Sequence, residues 1–205
     1  MWTADTPFMK IRTLKRVGTL LWAQKWAGCF FALLFALAAG RAHGDFIFVQ
    51  VCDTQFGFAN KDQSFEAETA HFEQAAAAIN RLKPAFVVAC GDLVNRPGDV
   101  AQIAEFKRIS AQIDRSIPVY NAPGNHDVEN APTPASVEKY RKAFGEDFYM
   151  FEHGDFRGIV LNSVLIHTPV NAMDLLEKQE KWVAGALAEA QKGGPSVCFN
   201  IIPCF

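Results

Sequence analysis

Residues 120–128 read YNAPGNHDV, and the nature of the chain turns on them. An apolar, β-branched approach breaks at Pro123-Gly124, and Asn125, His126 and Asp127 follow without a spacer. A carboxamide, an imidazole and a carboxylate thus stand together just past a predicted strand. Two earlier stretches have the same form: residues 46–57, FIFVQVCDTQFG, and residues 86–95, FVVACGDLVN. In each an apolar strand runs directly into Asp, with Gly close by. Open α/β sheets place their ligand sites at the carboxyl ends of strands. Three strand ends rich in oxygen and nitrogen donors therefore predict one shared site.

Working outward, the pattern alternates strand and helix. Residues 65–82 are Ala-rich and full of strong helix formers, with Ser64 placed to cap them and Lys83-Pro84 to end them. Residues 100–113 carry Val100, Ile103, Phe106, Ile109 and Ile113 on one helical face. Residues 117–122 form the third strand, with Pro118 near its start. This order predicts a mixed α/β fold that opens with parallel strands. A helix is expected over 135–144, and Gly154-Asp155 between two apolar runs predicts a hairpin. A long amphipathic helix over 175–192 and a buried strand over 197–202 complete the series. The chain stops at Phe205, two residues after Pro203, so residues 45–205 are expected to be the N-terminal portion of a longer domain.

The 205 residues are half hydrophobic, enough for a sizeable core. Formal net charge is −2, but residues 1–44 hold six of the 20 basic and one of the 22 acidic residues, which leaves the remainder near −7. A body of that sign presents no general nucleic-acid surface. The basic start, the apolar run over 26–39 and the small residues after it form a signal-peptide pattern, which predicts a secreted or periplasmic protein. The run is shorter than the roughly 20 residues of a membrane span. An uncleaved N-terminal anchor, the sole membrane contact expected, is the alternative, and Met9 is a second candidate start. The five cysteines contain no C-x-x-C pair and read as small buried hydrophobes, with a bridge left open. Neither G-x-S-x-G nor a P-loop occurs, which sets aside serine hydrolase and P-loop nucleotide chemistry.

Asp53 and Asp92 supply hard anionic oxygens, Gln55 and Asn125 neutral ones, and His126 can bind metal or move a proton. Such a set suits Mn, Fe, Zn or Mg. Two closely spaced cations can clamp a phosphoryl oxygen and generate hydroxide from water.

The stretches CDTQFG, GDLVN and GNHD, in this order and spacing, resemble the calcineurin-like metallophosphoesterase family. The likeness extends to APGNHDVENAPTP, FGEDFYMFEHGDFRGIVLNS and EKQEKWV, which resemble its branch of calcineurin-like phosphoesterase domain-containing proteins. The resemblance implies a four-layered αββα sandwich. It further implies hydrolysis of phosphate esters by metal-bound hydroxide at a dinuclear site, with a small molecule or a phosphoprotein as the phosphorylated substrate. It places Asp53, and with it Gln55, on the first metal, Asp92 between both, and Asn125 on the second. His126 would face the substrate, and Asn95 would stand where many relatives orient that His with Asp. Gln55 replaces the family's His, as in that branch. Ile201 stands where relatives carry another His, and the closing Gly-His-x-His motif does not occur. These departures keep open a second expectation: a non-catalytic remnant that retains the fold without a complete metal site.

Overall fold

A computed structural model describes residues 45–190, 192 and 194–201. The expected signal and anchor segment, residues 1–44, lies outside the described residues. Element order is β1 (Phe48–Cys52), α1 (Glu66–Leu82), β2 (Phe86–Cys90), α2 (Val100–Ser110), β3 (Val119–Ala122), α3 (Asn125–Val128), α4 (Pro134–Phe144), β4 (Tyr149–His153), β5 (Phe156–Val160), α5 (Ser163–His167), α6 (Met173–Ala190) and β6 (Ser196–Phe199).

The strands form two three-stranded sheets. β1, β2 and β3 are parallel, with Cys52 opposite Cys90 and Cys90 opposite Ala122. All three chains therefore leave this sheet at the same edge, which brings the three predicted strand ends together. The second sheet is mixed: β4 and β5 form the expected antiparallel hairpin, and β6 adds parallel to β5.

Strand alternation sends the side chains of β2 to two different cores. Val87 and Ala89 join Val49, Val51, Phe72, Ile79, Phe106 and Ile109 beneath α1 and α2. Phe86, Val88 and Cys90 join Phe151, Phe156, Val160 and Phe199 between the sheets. The intersheet core is aromatic: Phe86 stacks on Phe48 at 5.1 Å, and Tyr120 stacks on Phe151 at 3.7 Å. β2 is buried at every residue, as its unbroken apolar run requires. On the far side of the second sheet, Trp182 of α6 packs on Phe148, and Gln179 bonds Asn162. The layers run helix, sheet, sheet, helix, a mixed α/β fold of the expected kind.

Several boundaries differ from the sequence reading for identifiable reasons. Ser64 does not cap α1; its hydroxyl instead accepts from Asn60, and Phe65 caps without a side-chain bond. α2 ends at Ser110 because residues 109–113 close into turns. Pro118 has no N–H to give a ladder, and β3 begins after it. On α6 the buried set is Gln179, Ala186 and Ala190, while Leu187 is exposed. Cys90 is buried as expected, but Cys198 is exposed, and Cys52, Cys90 and Cys198 are free thiols. α4 has a reciprocal cap: Thr133 Oγ1 accepts from Ser136 N–H, and Thr133 N–H donates to Ser136 Oγ. Thr133→Ala should lower stability by about 1 kcal/mol, read as a shifted urea midpoint at unchanged slope.

Candidate metal centre

The three strand ends are joined through their backbones. Past β1, Asp53 N–H donates to Gly91 O at 3.3 Å, Gln55 N–H to Asp92 O at 2.7 Å and Phe56 N–H to Leu93 O at 3.4 Å. Asn95 N–H returns to Phe56 O, and Gly91 N–H reaches Ala122 O. Thr54 adds its hydroxyl to Leu93 O at 3.0 Å.

Turning sharply here demands unusual backbone. Asp53, Gln55 and Asp92 have φ of 57°, 35° and 50°. Left-handed conformations in non-glycine residues cost on the order of 1 kcal/mol each and cluster where function over-determines them. Two glycines permit the close approach: a Cβ on Gly124 would strike the Asp92 carboxyl, and one on Gly91 would strike the Ile201 side chain and Gly124 Cα.

Asp127 holds the assembly, a role the sequence reading did not assign. Its carboxyl is 2 % exposed. Oδ1 accepts from Leu93 N–H at 2.9 Å and Val94 N–H at 3.1 Å, and Oδ2 accepts from Gly124 N–H at 2.8 Å. It therefore clamps the second loop to the third. Burial pushes its pKa up to about 7, against the pull of those three N–H donors and with a further push from Asp92. The signal for it was an acidic residue inside a turn, which composition does not distinguish from an exposed one.

The candidate ligands follow from this frame. Asp53 lies open at the end of β1, and Asp92 is 7 % exposed. Asp92 Oδ1 accepts from His126 N–H at 2.9 Å. Burial, then repulsion from Asp92, raise the Asp53 pKa, and His126 offsets part of this. Burial likewise raises Asp92, offset by the His126 N–H and ring. Asn125 spends its amide donor on Asn130 Oδ1 at 2.8 Å, leaving its carbonyl oxygen as the group able to meet a cation. Gln55, half-buried, sits on the same rim. Two neighbouring carboxylates that resist ionisation, with carboxamide oxygens beside them, fit a hard divalent cation, whose charge would reverse both shifts. Among the described residues no three His, Cys, Asp or Glu side chains converge to hold a metal, so the amides must complete any shell.

One expectation is corrected. Asn95 does not orient His126 through its side chain, which instead donates to Asp62 Oδ1 at 2.8 Å. The Asn95 backbone oxygen lies 3.0 Å from His126 Nδ1. A carbonyl only accepts, so Nδ1 carries the proton and Nε2 is left to take or give one. Phe58, 59 % exposed, stands edge-on to the imidazole at 6.4 Å. His71 and His153 are exposed, and His153 packs against Phe46 and Phe86 on the intersheet side.

The profile of the family described as calcineurin-like phosphoesterase matches residues 46–191. The chain belongs to the calcineurin-like phosphoesterase family. Among curated proteins, this chain is 34% identical to the serine/threonine-protein phosphatases CPPED1 of Homo sapiens and Danio rerio, matching over 79% of its length. It spans 57% of the human protein and 58% of the fish one. Among solved structures it is similar to a dimetal phosphatase from Danio rerio, with TM-score 0.49 and 16% identity over 77% of this chain and 70% of that one. It is also similar to the purple acid phosphatase PPD1 of yellow lupin, with TM-score 0.42 and 18% identity over 57% of this chain and 24% of that one.

Proposed function

We propose that this chain hydrolyses phosphate esters at a centre of two divalent cations, which Asp53, Gln55, Asp92 and Asn125 would hold. The observation that carries this reading is the meeting of two carboxylates, Asp53 and Asp92, with a histidine whose backbone N–H donates to Asp92. When bound, the cations would supply Lewis acidity toward the phosphoryl group. The chain's own groups do the rest. Asp53 and Asp92 fix the charge of the centre. His126, with Nδ1 committed to the Asn95 carbonyl, handles the proton of the leaving oxygen at Nε2. The relatives named as serine/threonine-protein phosphatases favour a phosphoprotein substrate, with small phosphomonoesters as the alternative. The signal-peptide pattern of residues 1–44 supports a secreted or periplasmic setting, or anchoring by that segment.

A second reading, a fold that has lost its chemistry, has one observation in its favour. Ile201 lies against Gly91, beside the Asp92 loop, where an apolar side chain adds no ligand. One assay separates the two. With Mn²⁺, the protein should hydrolyse p-nitrophenyl phosphate, chelator should stop it, and His126→Ala should lower kcat about 10²-fold. A folded protein no faster than His126→Ala sinks the phosphoesterase reading and supports the remnant.

A further inference from the structure

We infer that Asp62 and Gln102 are positioning residues for His126, acting through the peptide group between Asn95 and Arg96. This rests on the reading of His126 as the group that handles the proton.

The peptide joining Asn95 to Arg96 contributes the Asn95 carbonyl and the Arg96 N–H. In a trans peptide these point in opposite directions. The carbonyl meets His126 Nδ1 at 3.0 Å. On the other side the N–H donates to Gln102 Oε1 at 3.0 Å, and the same oxygen accepts Asn95 N–H at 3.0 Å. Holding one edge of a rigid plane aims the opposite edge, so Gln102 sets where the carbonyl points.

Gln102 is itself locked. It is 2 % exposed, and its Nε2 donates to Asp62 Oδ1 at 2.8 Å. A carboxylate only accepts, so Asp62 fixes which end of the Gln102 amide faces the loop. The same Asp62 oxygen takes the Asn95 Nδ2 donor at 2.8 Å. The Asn95 carboxamide is thereby held on Asp62, and the imidazole is left to the backbone carbonyl. Asp62 sits at φ 63°, a conformation Asp and Asn tolerate better than other side chains. Its N–H donates to Gly57 O at 2.8 Å. Gly57, at φ 103°, leaves the space: a Cβ there would lie on both the Gln102 amide and the Asp62 carboxyl. A family member with Asn in place of the orienting Asp thus reaches the imidazole by another route, with the carboxylate one relay further out.

The test uses Asp62→Gly, which removes the acceptor and keeps the left-handed turn, Asp62→Asn, which keeps an acceptor oxygen, and Gln102→Met. The readout is the ring ¹⁵N spectrum of His126 in the metal-free protein above the imidazole titration range, assigned by its disappearance in His126→Ala. The wild type should show the Nδ1–H tautomer. Asp62→Gly should move the population toward Nε2–H, and Asp62→Asn should restore it. With Mn²⁺ and p-nitrophenyl phosphate, Asp62→Gly should lower kcat on the order of tenfold at unchanged KM. A wild-type ring already in the Nε2–H form, or an unchanged tautomer in folded Asp62→Gly, overturns the inference. Should Gln102→Met fail to fold, Asp62→Gly decides alone, because Asp62 lies on an exposed turn. A tautomer shift in a chain without hydrolysis upholds the positioning and removes the phosphoesterase reading.

Discussion

Asp92→Asn is expected to stabilise the metal-free chain and to reduce phosphate ester hydrolysis about 10³-fold. The two effects share one cause. Burial raises the Asp92 pKa above that of an ordinary aspartate, and Asp53 lies close by. The folded chain therefore binds this proton more tightly than the unfolded chain does. The carboxyl's favourable contribution is complete below the unfolded pKa and is lost as pH rises through the folded one. At neutral pH the ionised group is a net cost, which asparagine removes while keeping an oxygen to accept the His126 N–H. In chelator at pH 7.5 the variant should gain about 1 kcal/mol. The gain should shrink toward pH 4, where the wild-type carboxyl regains its proton. Melting curves at both pH values, with and without Mn²⁺, measure this, and added Mn²⁺ should stabilise the wild type alone. A variant less stable than wild type in chelator would show that the carboxylate is compensated by the protein without any cation.

Asp127→Ala should cost about 4 kcal/mol, because three buried backbone N–H groups lose their acceptor at once and each such loss costs roughly 1–3 kcal/mol. Those donors belong to Leu93, Val94 and Gly124, so the second and third loops separate together. Asp127→Asn keeps one oxygen but turns an amide donor toward a remaining N–H, and should fall between alanine and wild type. Urea unfolding in chelator ranks the three. Midpoints that coincide would assign the clamp to the backbone bonds between loops and not to this carboxyl.

Both variants act on features that differ in how openly they are written in the chain. The parallel sheet was readable because β1, β2 and β3 are short, largely apolar runs, each stopped by turn residues, and β2, buried at every position, is apolar throughout. The candidate residues Asp53, Asp92, Asn125 and His126 could be picked out because each lies within four residues of a strand end. The short helices α3 and α5 were not, since four or five residues carry no period. Gln179 was missed because a buried amide on a helix is indistinguishable from an exposed one until its partner, the Asn162 backbone, is placed beside it. Asp62 and Gln102 lie 33 and seven residues from Asn95, and only the folded loops reveal that they meet there. The Asn95 contact was misassigned for a related reason: residue identity predicts side-chain bonds, and here the peptide carbonyl makes the bond.

The backbone zipper joining the three loops has a consequence for how such a centre can change over evolutionary time. Gln55 is fastened by its N–H and not by its carboxamide, and Phe56 and Asn95 likewise pair through main-chain atoms. Side chains on this rim can therefore be exchanged while the scaffold keeps its shape. At position 55 a different side chain would leave the backbone bond to Asp92 in place. That freedom makes position 55 the natural place on this rim to graft a different donor.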